Sequence, residues 1–338
     1  MSSAEQPVSA DRTSDPPLEI LWIFLKLGVS CFGGPIAHLG YFRSEFVQRR
    51  RWLGEQAYAD LVALCQFLPG PASSQVGFSI GWMRAGALGA LAAWTGFTLP
   101  SAILLVVFAY GSQQLTGPVA SGLLHGLKLV AVAIVAQAVW GMARTLAPDR
   151  QRASIATLSA LIVLASNGAA AGQISAILLG GLAGLWLCSE APPTEAGRLP
   201  IIVPTGAAIF AFVAFFALLG GLPLAHALWS VPALAVFDAF YRSGALVFGG
   251  GHVVLPLLRE AFVAPGWISD NTFLAGYGAA QAVPGPLFSF AAYLGALIGP
   301  EPHGIVGAAL GLVGIFLPGM LILIATLPFW DRFRLRPD

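Results

Sequence analysis

The chain reads as an all-α polytopic membrane protein built from two inverted structural repeats whose helices break at glycine-proline motifs. Three observations predict this. Of 338 residues, 57% are hydrophobic and 10% charged, where a soluble domain carries about 25% charged residues. Apolar stretches near or beyond the ~20 residues that cross a bilayer as a helix fill 86–110, 118–143, 153–188, 200–222 and 304–330. Finally, QFLPGP at 66–71 returns as QAVPGP at 281–286, although proline and glycine weaken a helix interior.

In chain order, residues 1–17 are polar, with neither the basic end nor the apolar core of a cleavable signal peptide, and are expected to be a disordered tail. The first repeat, 18–188, carries FLKLGVSCFGGP (24–35), then Trp52, QFLPGP and FTLP (97–100). A Pro-rich linker of mixed charge, 189–199, separates it from the second repeat, 200–338. That repeat carries FYRSGALVFGGG (240–251), then Trp267, QAVPGP and IFLP (315–318). Phe32 precedes Pro69 by 37 residues and Phe248 precedes Pro284 by 36. From Pro69 to Pro100 is 31 residues, and from Pro284 to Pro318 is 34. Chance could supply one such pair but not the ordered series.

Basic residues orient the repeats, because short cytoplasmic loops collect Lys and Arg. RSEFVQRRR after the first FGG carries four arginines, whereas its counterpart VAPGWISDN carries none. At the far end the bias reverses: GSQQLTGP (111–118) is uncharged and DRFRLR (331–336) holds three arginines. Equivalent loops are therefore expected on opposite faces, with both termini cytoplasmic. Arg84 falls on the same side as RSEFVQRRR, so QFLPGP between them must enter the bilayer and return as a hairpin meeting at Gly70. QAVPGP forms the same hairpin from the other side.

Non-helical backbone at membrane depth is tolerated where it lines a cavity or is buried in protein, and paired discontinuous helices in inverted repeats are typical of secondary transporters. Half-helices starting after Gly34, Gly70, Gly250 and Gly285 would point unpaired N–H groups and partial positive charge at one place, a setting for an anion. Pro35, Pro71 and Pro286 suit the first helical position. Gly33, Gly249 and Gly251 complete the breaks. Lys26 and Arg242 each lie six residues before the repeated Phe, and two intramembrane cations suit a dianion; the alternative is that both snorkel to headgroups. Gln66 and Gln281 match across the repeat. Ser73, Ser74, Gln75 and Ser289 follow the turns, facing a ligand or bonding the helix backbone. His252 is either substrate-facing or a packed imidazole. Asp60 and Asp238 are candidates for a coupling proton, or pair locally with a base. Arg43 and Arg259, beside Glu45 and Glu260, are expected in interfacial ion pairs. Cys31, Cys65 and Cys188 lack metal-ligand spacing and read as buried thiols.

The sequence shows no GxxxxGK[ST], HExxH or GxSxG, so ATP-driven pumping and hydrolysis are not indicated. The net charge of +1 gives no sign of nucleic acid. No cofactor or metal is implied. A membrane assembly or sensor component that moves nothing remains the rival class.

FGGP with RSEFV and FLPGPASSQ in one half, and FGGGHVVLPLL with AGYGAAQAVPGPLFSFAAYLG in the other, resemble the chromate ion transporter family in its long, two-domain form, over residues 20–330. The resemblance implies a bacterial inner-membrane protein that exports chromate, confers resistance to it and draws on the proton-motive force. It also implies sulfate, of the same shape and charge, as the related ligand. Gly-rich helices would permit a homodimer, though internal packing explains them equally well.

Single cysteines at Gln48 and Ala264 on a cysteine-free background should be labelled from opposite sides of the membrane by an impermeant maleimide. Labelling of both from one side would reject the inverted arrangement.

Overall fold

The computed structural model describes residues 15–114, 117–166, 170–188, 201–248 and 251–334; most of the expected tail, the linker, Gly249, Gly250 and the side chain of His252 lie outside the described residues. The described chain is helical, with no strand. The α-helices are α1 (Pro17–Ser30), α2 (Gly34–Phe42), α3 (Glu55–Phe67), α4 (Ala72–Gln114), α5 (Pro118–Leu146), α6 (Arg150–Ala165), α7 (Ala170–Leu187), α8 (Thr205–Trp229), α9 (Pro232–Ala245), α10 (Val254–Leu258), α11 (Asp270–Ala282), α12 (Phe290–Leu297) and α13 (Gly304–Arg334). Polar residues start two of them: Asp149 accepts from the Arg152 amide at 2.8 Å and Ser269 from the Thr272 amide at 3.1 Å, each satisfying a first-turn donor.

α4 is not one rod. At Ala85 and Gly86 the backbone leaves helical geometry, Gly86 with φ 61°. The chain then doubles back so closely that a Cβ on Gly81 would collide with the Gly89 carbonyl and the Ala93 methyl. Residues eight apart in an unbroken helix would be ~12 Å apart along the axis. The arm 72–84 therefore pairs with α3 as the hairpin expected at QFLPGP, and 87–114 is the long helix that follows. The bend lies where the hairpin returns to its start: Arg84 stacks on Trp52, 4.7 Å from the ring, with Arg50 5.2 Å away on the same indole. In the second half α11 and α12 form the matching hairpin. The amide of Gly299, just past α12, donates to the Trp267 carbonyl at 2.9 Å, and a Cβ on Gly295 would strike the Gly307 carbonyl of α13.

The halves repeat in finer detail as well. Arg43–Arg49 and Arg259–Val263 are both wound as π-turns, over R-x-x-F-V in each. Phe24 stacks on Phe46 with centroids 5.2 Å apart, and their counterparts Phe240 and Phe262 lie 4.4 Å apart. Arg43 pairs with Glu55 at 2.7 Å and Arg259 with Asp270 at 2.8 Å. These ion pairs sit at matching positions, but not with the sequence neighbours expected. Glu45 turns instead to Arg49 and Arg50, because the π-turn and the following loop carry each arginine to the start of the next helix.

Small residues bring the main helices together. A Cβ on Gly28 of α1 would lie 2.6 Å from the Gly96 carbonyl oxygen of α4, and one on Gly244 of α9 would collide with the Ile315 carbonyl of α13. Without a hydrophobic driving force in lipid, such backbone-to-backbone packing is what associates helices. The outer faces stay apolar: on α8, Phe210, Phe212, Val213 and Phe216 are all more than half exposed, a surface a monomer in water rarely presents. α8, α13 and the 28-residue arm 87–114 of α4 are each long and apolar enough to cross a bilayer. The protein is an all-α membrane protein.

Gly28→Val and Gly244→Val should each destabilise the fold by about 1–3 kcal/mol or more through overpacking. Gly220→Ala, at an open position, should not. Thermal unfolding in detergent reads this, and parent-like melting of both valine variants would disprove the close approach.

Candidate functional site

Each break is closed by the other half. The amide of Gly70, in the first PGP turn, donates to the carbonyl of Val247 at 2.8 Å; the amide of Gly285, in the second, donates to the carbonyl of Cys31 at 2.9 Å. Cys31 and Val247 are equivalent, each immediately before the repeated Phe. The two bonds are thus reciprocal: each half's PGP turn accepts the frayed end of the other's FGG break. Gly70 and Gly285 have φ of 118° and 101°, left-handed values that favour glycine. A Cβ on Gly70 would press on Gly319 at 2.8 Å and one on Gly285 on the Ser101 hydroxyl at 2.8 Å. Gly319 and Ser101 are again equivalents, following Pro318 and Pro100. Gly251 joins the same place, its Cβ position 3.0 Å from Pro35 and 3.4 Å from Leu287. The four interruptions therefore meet.

Helix starts differ in one detail from the sequence expectation. Pro71 and Pro286 precede the first turn, their carbonyls accepting from the Gln75 and Ser289 amides at 2.9 and 3.0 Å. They are caps, not first helical residues; a cap too requires no amide donor. Since Gly70 and Gly285 N–H groups are engaged in the crossings, what the breaks offer a ligand is the N–H groups and side chains of the turns that follow.

Those side chains are polar and buried. Ser73, Ser74, Gln75 and Ser289 are all less than 5% exposed. Gln75 Nε2 donates to the Pro69 carbonyl at 3.0 Å and across the molecule to the Gly319 carbonyl at 2.8 Å. Ser101 Oγ donates to the Thr98 carbonyl at 2.9 Å and lies 2.6 Å from Ser289 Oγ, so Ser289 is the donor of that pair. His38 of α2, 1% exposed, stands with Nδ1 3.5 Å from Ser73 Oγ and its ring edge-on to Phe97, 5.3 Å away. Next to these contacts in the chain, several buried polar atoms have no protein partner: His38 Nε2, Ser74 Oγ, Gln75 Oε1 and Thr98 Oγ1. The same holds elsewhere of Ser79 Oγ, Trp94 Nε1, Gln281 Nε2 and Trp330 Nε1. Each such atom costs about 1–3 kcal/mol when left unpaired, and the first four mark the candidate ligand site.

The remaining sequence candidates lie around this centre. Gly33 and Gly34, with φ of 95° and 76°, start α2. Lys26 is exposed, its ammonium 5.5 Å over the Trp22 ring. Arg242 is 46% exposed and gives Nε and Nη2 to Asp238 at 3.1 and 2.5 Å, beside an open cleft of about 350 Å³ that includes His226, Glu260 and Trp267. Both cations turn back one helical turn toward the N-terminus, away from the breaks at 31 and 247. Gln66 is exposed, whereas Gln281 is partly buried and hydrogen-bonded to Tyr277. Asp60 is partly buried on α3. Among the described residues, no cluster of three His, Cys, Asp or Glu side chains is placed to hold a metal.

Comparison with known proteins agrees with this architecture. A family model described as "Chromate transporter" matches residues 18–185 and 234–337. The chain belongs to the chromate transporter family. Its relatives include a chromate transport protein of Pseudomonas aeruginosa, 29% identical over 96% of this chain and 77% of the relative. A second chromate transport protein, from Cupriavidus metallidurans, is 23% identical over 94% and 76%. A probable chromate transport protein of Synechococcus elongatus is 27% identical over 93% and 76%. No solved structure matches.

Reading by repeats did not single out His38, Thr98 and Ser101. Their counterparts are Val254, Phe316 and Gly319, so a search for residues present in both halves passes over them. A cheaper signal was available: a histidine on an apolar helix three residues beyond a Gly-Pro break.

Ser101→Ala and Ser289→Ala each remove one end of the cross-half hydroxyl bond. A double-mutant cycle on thermal stability should give a coupling of about 0.5–1.5 kcal/mol. A coupling of zero would mean that the hydroxyls do not join.

Proposed function

We propose that this protein is a secondary transporter of chromate, working by alternating access in a bacterial inner membrane and exporting the anion at the expense of the proton-motive force. The carrying observation is the reciprocal closure of four helix breaks around buried, unpaired polar atoms. Membership of the family, and relatives named as chromate transport proteins, support chromate as the cargo.

The tetrahedral dianion is held where the breaks meet. Gly70 and Gly285 keep the turns open there, Ser73, Ser74, Gln75 and Ser289 offer hydroxyl and amide contacts, and the first turns beyond them present helix N-termini. Gly33, Gly34 and Gly251 let the chains approach; Gly249, Gly250, His252, Gln66 and Gln281 are assigned to the same site from the sequence alone. Lys26 and Arg242 lie at equivalent outlying points and draw the anion inward; Asp60 and Asp238 are the candidates for carrying the coupling proton. The halves are inverted, so rocking one against the other exposes the same centre to either face in turn. Sulfate, with the same charge and shape, competes at this site.

The test is chromate flux into proteoliposomes under an imposed pH gradient or voltage, with sulfate as competitor. Replacing Ser74 and Ser289 together by Ala should lower flux at limiting chromate about tenfold, the loss of roughly 1.4 kcal/mol of anion contact. Lys26→Ala and Arg242→Ala should weaken it a few-fold, on the order of a screened surface charge. A well-folded parent that moves no chromate would favour a sensor or assembly role.

A further inference from the structure

A dianion buried in low dielectric needs a positive partner, and neither outlying cation reaches the centre. We propose that His38 supplies it: the imidazole takes one proton from solution as the anion arrives, and holds the anion through Nε2–H. This deepens the oxyanion reading above and rests on it.

Three independent observations point the same way. First, Nε2 is buried and without a hydrogen-bond partner, while the ring also meets Ser73 Oγ and the Cys31 backbone. In a neutral ring one nitrogen is a donor and the other an acceptor, so whichever way Nδ1 meets Ser73, Nε2 is left wanting. With Nδ1 accepting from the Ser73 hydroxyl, a neutral ring can also donate from Nε2 to an anion; the imidazolium alone adds the positive charge that a buried dianion lacks. Second, three other unpaired atoms belong to residues next in the chain to those that meet this ring: Ser74 Oγ and Gln75 Oε1 follow Ser73, and Thr98 Oγ1 follows Phe97. Third, the fold does not require these polar groups. The second half builds the same corner from Val254, Phe288, Phe290 and Phe316 in place of His38, Ser73, Gln75 and Thr98. Ser74 and Ser289 alone match. The side chains that recognise the anion therefore belong chiefly to the first half, and the second half closes them over with aromatic rings.

Among the described residues, no acidic side chain is shown hydrogen-bonded or ion-paired to this imidazole. Cys31, buried at the end of α1, meets the ring through its backbone, and Tyr58 on α3 donates its hydroxyl to the Leu39 carbonyl at 2.7 Å. On α1, Glu19 faces Arg50 and Lys26 faces Trp22. On the π-turn, Arg43, Glu45 and Arg49 are ion-paired. On α3, Glu55 pairs with Arg43, and Asp60 is partly buried two residues beyond Tyr58. On α4 the charged residue is Arg84, paired with Asp15 some 16 Å along the helix from Ser73. The turn Leu287–Ser289 and α12 carry no charged residue. Protonation of His38 is thus disfavoured with the site empty and favoured with a dianion in it.

The measurement is calorimetric titration of chromate into purified protein, in two buffers of different ionisation enthalpy. At about pH 8, above the range in which an ordinary imidazole titrates, the parent should take up close to one proton per chromate bound, and its affinity should fall by up to roughly tenfold per further pH unit. In His38→Gln the uptake should vanish and the pH dependence flatten, the chromate ion's own protonation cancelling in the comparison. Equal uptake by both proteins overturns the proposal. So does binding by the parent without proton uptake, a result that stands even where the variant fails to fold. Absence of any chromate binding by the parent overturns the oxyanion reading along with it.

Discussion

The structure depends on two backbone hydrogen bonds that run in opposite directions between the halves. A helix broken within a bilayer strands amides and carbonyls that water cannot reach, at several kcal/mol apiece. Here the loose carbonyl at the end of α1 or in the Val247 corner finds its donor in the PGP turn of the other half. That solution forces the remaining features. The donors must be glycines with positive φ, the neighbours must be as small as Gly319 and Ser101, and Gln75 must reach across to the Gly319 carbonyl. Polar side chains then gather at the centre as a consequence of the crossing.

Close helix packing serves the same end. Gly28 against Gly96 and Gly244 against Ile315 set α1 and α9 at backbone distance from the long helices of their own halves. Their C-terminal carbonyls are thereby delivered at the depth where the opposite PGP turns lie. The aromatic sets Phe24–Phe46 and Phe240–Phe262 fill behind them, and the π-turns aim Arg43 and Arg259 at the next helix.

Much of this was legible in the sequence, and the reasons are physical. Hydropathy gave the class because lipid demands it. The paired PGP and FGG motifs, and the return of the first hairpin toward RSEFVQRRR, could be read because helix breaks in a membrane need glycine and proline. Position after the PGP turns also flagged Ser73, Ser74, Gln75 and Ser289. Repeat matching could not say that the glycine amides would cross between halves, since hydrogen-bond partners some 180 and 250 residues apart leave no local trace. Nor could it weigh Lys26 and Arg242: their equivalence is real, but which face of α1 or α9 turns inward depends on packing. Divergence hid His38 most effectively. Symmetry is a good guide to a scaffold and a poor one to side chains in which the halves differ.

The exchange of donors between halves bears on how such a molecule came to exist. A lone half would keep its own helical hairpin yet expose one glycine amide and one frayed carbonyl to lipid. Any second half that presents the same pair would quench both at once, whether it arrives on the same polypeptide or on another. Covalent fusion through the 189–199 segment is on this view a convenience of stoichiometry. The fused arrangement then freed the two copies to drift apart in side chains while both backbone bonds were kept.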